Sequence, residues 1–571
     1  MKFLLLFLVL NSFFFFPRYV LERKTSTFFP YKGLFYGPVK ERIQFLINRF
    51  NYDIFRLSID FFLLTLLFSV FQNRLSFNAW HWLFFVIYAL TLTYQIYYHV
   101  FENIYKVEPL FYRDFLLLKT GAQIFFREFT KINAAITLMV LGGFVGLFFL
   151  TEIFLRAAVD FRPTAWIWGI AGVLGFMSLY SLFNYNYKAF GKIVFPSTIQ
   201  SLIRNILFSY QTKVQLDNVD FEKLKNHRPY EHLKLRNRPN IYFIPVESYG
   251  RILYDHVELK ESYRLYMSAL DDLLRENSWQ ATTNLSLAPI TGGASWVSYS
   301  SALSGFDIRD QGVYLTLLNK PEMHDYQHFM RWLKNMGYAN YRLAPIAGFQ
   351  GMKIPWETYS SFYAIDEWIK YEDMNYTGPL LGFGPCPPDQ FSLGFAKAFM
   401  DSKQTEPNCL FFITQNSHSP FVAPEKIADH WAEWSDGSQV EQGSSSIFIQ
   451  PKLEDYARAI RYQMTFLTDF IMKEGADNDI FVLIGDHQPP SFPQEGDSLE
   501  TPVHIISKNA DFVNSFSSYG FQKGLIKKDQ GNGMRHEGIY SLLVRELVRH
   551  YGEKDHKLPE YKEQGLDWLN L

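Results

Sequence analysis

The sequence predicts two architectures in one chain: an N-terminal polytopic α-helical membrane domain over residues 1–187 and a C-terminal α/β domain with a layered sheet over residues 240–571, joined by a linker at 188–239. Three observations carry this. Hydrophobic residues make up 48% and aromatics 18% of the 571 residues, with the excess packed before residue 190. Long uncharged runs follow one another there, too many for the core of a soluble protein. From Lys188 onward the pattern changes to short apolar runs alternating with polar helices, which predicts a largely parallel sheet.

Composition also excludes classes. Lys and Arg number 55 against 57 Asp and Glu, a formal charge of -2, without the basic excess of a nucleic-acid binder. Cys386 and Cys409 are the only cysteines, too few for a disulfide framework or a cysteine zinc cage. With 56 Phe and 35 Tyr the chain carries far more buriable surface than a disordered one.

Five apolar runs define the first region: Leu4 to Phe16, Leu57 to Phe71, Asn78 to Phe101, Ile132 to Thr151 and Pro163 to Tyr187. The last three are each long enough to cross about 30 Å of hydrocarbon. The first suits a signal segment or a thin span; lacking a small-residue cleavage pattern, it reads as a retained helix. Between the third and fourth runs, Leu110 to Phe126 mixes Phe111, Phe115 and Phe125 with Arg113, Asp114 and Lys119, an amphipathic pattern for a helix in the membrane interface.

In the second region, strands are expected at Asn240 to Val246, Leu410 to Thr414 and Ile480 to Ile484. Helices are expected at Tyr263 to Glu276, Trp296 to Leu303, Tyr326 to Met336, Phe391 to Met400 and Leu453 to Glu474, with a solvated loop at Asp429 to Ser446.

Ligands of open parallel sheets gather beyond the carboxyl ends of the strands. The first strand runs into Glu247, Ser248 and Tyr249, the second into Asn416, Ser417 and His418, and the third into Asp486 and His487. Taken singly, each of these is an ordinary cap or surface residue. Together they bring hard carboxylate oxygen and imidazole nitrogen to one edge, a mix that suits zinc or manganese. In Thr291-Gly-Gly-Ala-Ser295 the glycines permit a tight turn, and a helix starting near Ser295 would aim its N–H groups at an anion. A serine there is a helix cap taken alone, and a nucleophile if a metal stands beside it.

The order of Val-Glu-Ser, the Gly-Gly-Ala-Ser turn, His-Ser-Pro and Gly-Asp-His resembles the sulfatase-like branch of the alkaline phosphatase superfamily. Within it the pattern is similar to lipoteichoic acid synthases and related phosphoglycerol or phosphoethanolamine transferases. The resemblance spans about residues 240–548 by motif order and the whole chain by architecture. It implies Glu247, Asp486 and His487 as ligands of a divalent metal, Mn or Zn, with Ser295 as a fourth metal contact and the nucleophile where that family carries Thr. His418 is implied as the histidine that contacts substrate phosphate. Ser295 stands ten residues before Gly305, the family interval, which favours it over Thr291. Trp356 matches a substrate-binding Trp, but Thr358 replaces the Arg two residues later. The sulfatase context C/S-x-P-x-R is absent, since Val297 and Tyr299 stand at the Pro and Arg positions. Arg342, His504 and His536 are further candidates for substrate or a second metal, and Asp389 is expected to cap a helix.

The resulting expectation is a membrane phosphotransferase that moves a phospholipid head group to a glycan or lipid acceptor through a phospho-Ser intermediate. The alternatives are a hydrolase that uses water and a non-catalytic binding platform. Topology is contested. If all five runs cross, the most basic loops share a side with the catalytic domain, which the positive-inside rule reads as cytoplasmic, whereas the resemblance places that domain outside. Interfacial helices can hold basic residues against anionic lipid, so the external placement is preferred.

Overall fold

The computed structural model describes residues 1–17, 57–105, 109–115, 131–183, 188–189, 192–193, 197–347, 355–382, 384–404, 407–436, 452–490, 492–493, 497–527, 531, 533–553 and 557–569. The chain divides into two compact units, Met1–Lys213 and Val214–Leu571.

The first unit is helical: α1 (Lys2–Phe13), α2 (Ile59–Phe71), α3 (Phe77–Tyr105), α4 (Lys131–Asp160), α5 (Ala165–Phe183) and α6 (Thr198–Asp217), the last running past the unit boundary at Lys213. Each expected apolar run forms a helix because its apolar side chains leave the backbone as the only polar group to satisfy, and a helix does so internally. An aromatic core of Phe14, Phe61, Phe84, Tyr88 and Phe154 joins α1 through α4. Outward-facing Leu138, Met139, Trp166 and Phe176 are exposed. By length and composition, Phe77–Phe101 and Asn133–Asp160 can cross a membrane. In the third run expected to cross alone, the part of α5 whose side chains are described is the shorter apolar stretch Ala165–Phe176, and Lys2–Phe13 and Ile59–Phe71 are shorter also. The expected interfacial helix at 110–126 lies outside the described residues beyond 115, as do the basic loops at 18–56 and 116–130.

The second unit is built on an eight-stranded sheet, β1 (Ile241–Val246), β2 (Gln280–Leu287), β3 (Ala339–Ala344), β4 (Glu367–Lys370), β5 (Asn408–Phe412), β6 (Ile480–Gly485), β7 (Glu500–Ser507) and β8 (Gln522–Lys523), in the order β8-β2-β7-β6-β1-β5-β3-β4. The sheet is mixed, which corrects the largely parallel expectation. β6, β1, β5, β3 and β4 pair in parallel, whereas β7 runs antiparallel to both β6 and β2, and β8 antiparallel to β2. The parallel strands β1 and β6 are buried along their whole length, consistent with helices on both faces.

Helices α7 (Lys260–Glu276), α8 (Ser295–Ser304), α9 (Asp389–Lys403), α10 (Leu453–Glu474) and α11 (Ile539–Tyr551) belong to the same unit. The helix expected over Tyr326 to Met336 forms over Phe329–Asn335, capped by His328 and preceded by a separate 3-10 turn, Pro321–Asp325. The loop expected at Asp429 to Ser446 holds a 3-10 turn at Trp431–Asp436, and its residues from 437 onward lie outside the described residues.

Candidate active site

Parallel pairing of β1 with β6 in register, Val246 opposite Gly485, delivers Glu247 and Asp486 to neighbouring positions. Both strands end by turning sharply. Gly485 has no room for a side chain, since a Cβ would lie 2.0 Å from the Tyr249 carbonyl oxygen. Ser248 adopts the left-handed region at φ 58°, a costly conformation for a non-glycine residue, and its N–H is thereby donated to Asp486 Oδ1 at 2.8 Å. Asp486 Oδ1 also accepts from His487 N at 2.7 Å.

The hydroxyl comes from α8. Gly293 and Ala294 both have positive φ, and this left-handed step turns the first residue of the helix, Ser295, toward β1. Ser295 Oγ donates to Glu247 Oε2 at 2.8 Å and lies 3.3 Å from His487 Nε2. Ser298, one turn on, anchors the helix by donating to the Asp486 carbonyl. Of the two hydroxyls proposed for the nucleophile, Ser295 is the one at the carboxylates; Thr291 is buried in the preceding turn.

The loop after β5 adds His418. Glu247 N donates to Thr414 Oγ1 at 3.0 Å and Ser417 Oγ donates to the Glu247 carbonyl at 2.6 Å, so this loop is tied to the metal-ligand candidate itself. His418 Nδ1 donates to the Ser419 carbonyl at 2.7 Å, so proton transfer at this residue falls to Nε2.

Glu247, Asp486 and His487 place one ligand atom each within 4.8 Å of one another, all buried. Electrostatics tests whether a cation belongs there. His487 Nδ1 faces the Gln488 carbonyl at 2.9 Å, so that nitrogen carries the proton and the Nε2 lone pair points at Glu247 Oε1 (3.5 Å) and Asp486 Oδ2 (3.4 Å). Asp486 Oδ2 is buried with no hydrogen-bond partner. Burial, and then the charge of Glu247, push the Asp486 carboxyl well above its usual range. Burial pushes Glu247 upward as well, yet its carboxyl stays below its usual range because His487, His418 and hydrogen bonds from Asp486 and Ser295 favour the anion. Burial lowers His487 in spite of Glu247. Without a cation Asp486 keeps a proton to sit beside Glu247 and the His487 lone pair; a divalent cation takes the place of that proton and draws all three groups into coordination. The residues present therefore fit such an ion.

The remaining candidates lie elsewhere. His504, on β7, has both ring nitrogens engaged, by Thr283 Oγ1 at 2.7 Å and by the Tyr249 hydroxyl at 3.0 Å, and burial lowers it to about 3. His536 bridges Ser286 Oγ at 2.9 Å and the Gly485 carbonyl at 3.2 Å, behind the strand end that carries Asp486, and burial lowers it to about 4. Both act in this structure as neutral braces of the strands. Arg342 lies with its guanidinium 3.8 Å from the Phe411 ring centroid and 5.6 Å from that of Tyr299, one turn along α8 from Ser295. Trp356 packs edge-on against Trp368 at 4.5 Å with Lys370 Nζ over its ring, toward the β4 edge of the sheet.

Asp389 is not the helix cap expected. It is fully buried as the first residue of α9, and its Oδ2 accepts from Gln415 N at 2.8 Å, Asn416 N at 2.7 Å and Gln463 Nε2 at 2.6 Å. No spacing rule in the sequence links residues 389 and 416.

A family model described as Sulfatase matches residues 239–531, just over half the chain and the whole span from β1 through β8. The chain belongs to the sulfatase family. This sulfatase-family chain is similar to three solved structures in particular. One is the lipoteichoic acid synthase LtaP from Listeria monocytogenes (15% identity, 61% of this chain and 81% of that one, TM-score 0.37). Another is the C-terminal periplasmic domain of EcEptC from Escherichia coli in complex with Zn (13%, 58% and 87%, TM-score 0.36). The third is the Streptococcus pyogenes phosphoglycerol transferase GacH in complex with sn-glycerol-1-phosphate (13%, 59% and 81%, TM-score 0.35). No curated protein matches the chain.

Proposed function

We propose that this chain is a membrane-anchored, divalent-metal-dependent phosphotransferase. It moves a phospholipid head group, of phosphoglycerol or phosphoethanolamine type, to a glycan or lipid hydroxyl through phospho-Ser295. The observation that carries this reading is the Ser295 hydroxyl, set 2.8 Å from the Glu247 carboxylate and 3.3 Å from His487 at the mouth of α8. Family membership does not by itself argue for sulfate esters, because Val297 and Tyr299 replace the Pro and Arg of the formylglycine context. A Mn or Zn ion held by Glu247, Asp486 and His487 would supply positive charge that neutralises phosphate oxygens and favours the ionised hydroxyl.

The chain's own residues perform the rest. The Ser295 proton leaves toward Glu247 Oε2 as the Oγ–P bond forms and the bond from phosphorus to the diacylglycerol oxygen breaks. The free N–H groups at the start of α8 face the phosphate oxygens. Protonated His418 gives its proton to the departing oxygen. In the second half the acceptor hydroxyl attacks phosphorus, its proton passes to His418, and Ser295 Oγ recovers a proton from Glu247.

Two apolar helices of spanning length support anchoring. The catalytic unit works outside the cytoplasm, where exported glycans meet lipid donors. Mass spectrometry of the full-length protein after incubation with head-group-labelled phospholipid vesicles tests the chemistry: a labelled Ser295 peptide is expected, and a labelled Thr291 peptide or none overturns it. Release of free head-group phosphate whether or not acceptor is present would make the enzyme a hydrolase. Protease added to intact cells is expected to digest the region after Lys188; full protection would place that region inside.

A further inference from the structure

The loop between β5 and His418 is irregular backbone, and its consecutive amides at Gln415 and Asn416 both end on one oxygen of Asp389. The pairing is reciprocal, because Asp389 N donates to Asn416 Oδ1 at 2.7 Å. Gln463 of α10 adds a third donor to the same oxygen. The other oxygen, Oδ1, is buried with no hydrogen-bond partner. On its far side the same loop touches the metal-ligand candidate: Thr414 accepts from Glu247 N, Ser417 donates to the Glu247 carbonyl, and His418 N donates to the Gln415 carbonyl at 3.0 Å. One carboxylate thus fixes the two residues that precede Ser417 and His418.

We propose that Asp389 is a positioning residue of the active site: paired with Asn416, it clamps the loop after β5 and so sets where His418 stands relative to Glu247 and Ser295. The catalytic consequence rests on the phosphotransferase reading above; the geometric one does not. The clamp needs an acceptor oxygen on the side of Gln415 and Asn416 and nothing on the other side. Asparagine meets that requirement, with its amide nitrogen in the place of the unpartnered Oδ1. Alanine leaves three donors unpaired, two of them buried.

The test uses the full-length protein in detergent, loaded with Mn, as wild type, Asp389→Ala and Asp389→Asn. Diethylpyrocarbonate modification of His418, followed by mass spectrometry with exposed His232 as control, reads the loop without any assay of turnover. Asp389→Ala is expected to raise the His418 modification rate several-fold and to lower kcat about 10- to 100-fold with little change in KM, the usual size of an outer-partner effect. Asp389→Asn is expected to restore both to within about threefold of wild type. Unchanged His418 reactivity in Asp389→Ala, or equal loss in Asp389→Asn and Asp389→Ala, overturns the clamp. If Asp389→Ala fails to fold, Asn416→Ala removes the other half of the pair, and the same rise at His418 is expected; its absence is equally decisive. Inactive wild type with the His418 effect intact would remove the phosphotransferase reading and leave the clamp standing.

Discussion

Two buried aspartates, one in each unit, show opposite solutions to the same problem. Asp114, in the helical unit, is fully buried and has donors on both oxygens: Tyr97 hydroxyl at 2.7 Å, Leu110 N at 2.8 Å and Arg113 Nε at 2.6 Å. Asp60 of α2 is treated the same way, holding Ser197 Oγ and the first amide of α6, each at 2.5 Å. Asp486, in the sheet unit, is as deeply buried, yet one oxygen has no donor and faces a second carboxylate and an imidazole lone pair. A satisfied buried carboxylate organises structure; one left facing other acceptors costs stability, and a fold retains it where a ligand relieves the conflict.

The largest effect that could break this contrast is chemical. Ser295→Ala deletes the hydroxyl that lies against both Glu247 and His487, so turnover should fall by about a thousandfold or more. The fold and metal content should be unchanged, because Ser295 is only half-buried and its side chain does not cap α8, whose cap position is Ala294. Steady-state rates beside metal analysis of the same sample check this; a tenfold loss or less would detach Ser295 from the chemistry.

Next in size is Asp486→Asn. Metal affinity, measured by competition with a chelator, should drop beyond the roughly 100-fold typical of an outer partner. The metal-free protein should at the same time melt no lower than wild type, since the amide oxygen still accepts from the Ser248 and His487 amides and the amide nitrogen puts a donor where Oδ2 faces Glu247. A lower melting temperature without metal would mean that Asp486 is a structural carboxylate after all, and the contrast between the units would fail.

Asp114→Ala should behave in the opposite way. It strands the Tyr97 hydroxyl, the Leu110 amide and Arg113, and should cost about 2–3 kcal/mol with or without metal. Thermal unfolding of full-length protein in detergent, with and without Mn, separates the two aspartates; a metal-dependent effect at Asp114 would blur them.

How much of this was legible in the sequence follows from the same physics. Glu247, Asp486 and His487 could be read because fully buried parallel strands are continuous apolar runs, and the first polar residues after such runs fall at the sheet edge. β2 was missed because its residues, Gln-Ala-Thr-Thr-Asn-Leu-Ser-Leu, spend their hydroxyls on buried partners: Thr283 serves His504 and Ser286 serves His536. A buried polar strand has no hydropathy signal. The same pairing is why His504 and His536, reasonable metal candidates from composition, are braces in the folded chain. Ser248 and Ala294, whose left-handed backbone aims the site, carry no glycine to betray them. Asp389 was misread because its position before a helix suggests a cap, and its true partners lie 26 and 27 residues away.

The smallest effect sharpens the contrast by asking what a satisfied polar group does inside the sheet unit. Thr283 donates to the Gly524 carbonyl at 2.6 Å, so it must accept from His504 Nδ1, and His504 Nε2 must then accept from Tyr249. Both roles require neutral imidazole, and burial lowers His504 from 6.5 to about 3. The unfolded chain therefore binds the extra proton first. Between pH 6.5 and 3 it holds more protons than the folded one, so this group's contribution is fully present above 6.5 and is lost as pH falls. At pH 5 the loss is about 2 kcal/mol, the interval below 6.5 at about 1.4 kcal/mol per unit. His504→Gln does not titrate, and its stability difference between pH 7 and pH 5 should be smaller than wild type by about that amount. Urea titrations of the full-length protein at both pH values measure it. An identical pH dependence in the variant would mean that His504 is charged when folded, and that the Tyr249 to Thr283 relay does not hold it neutral.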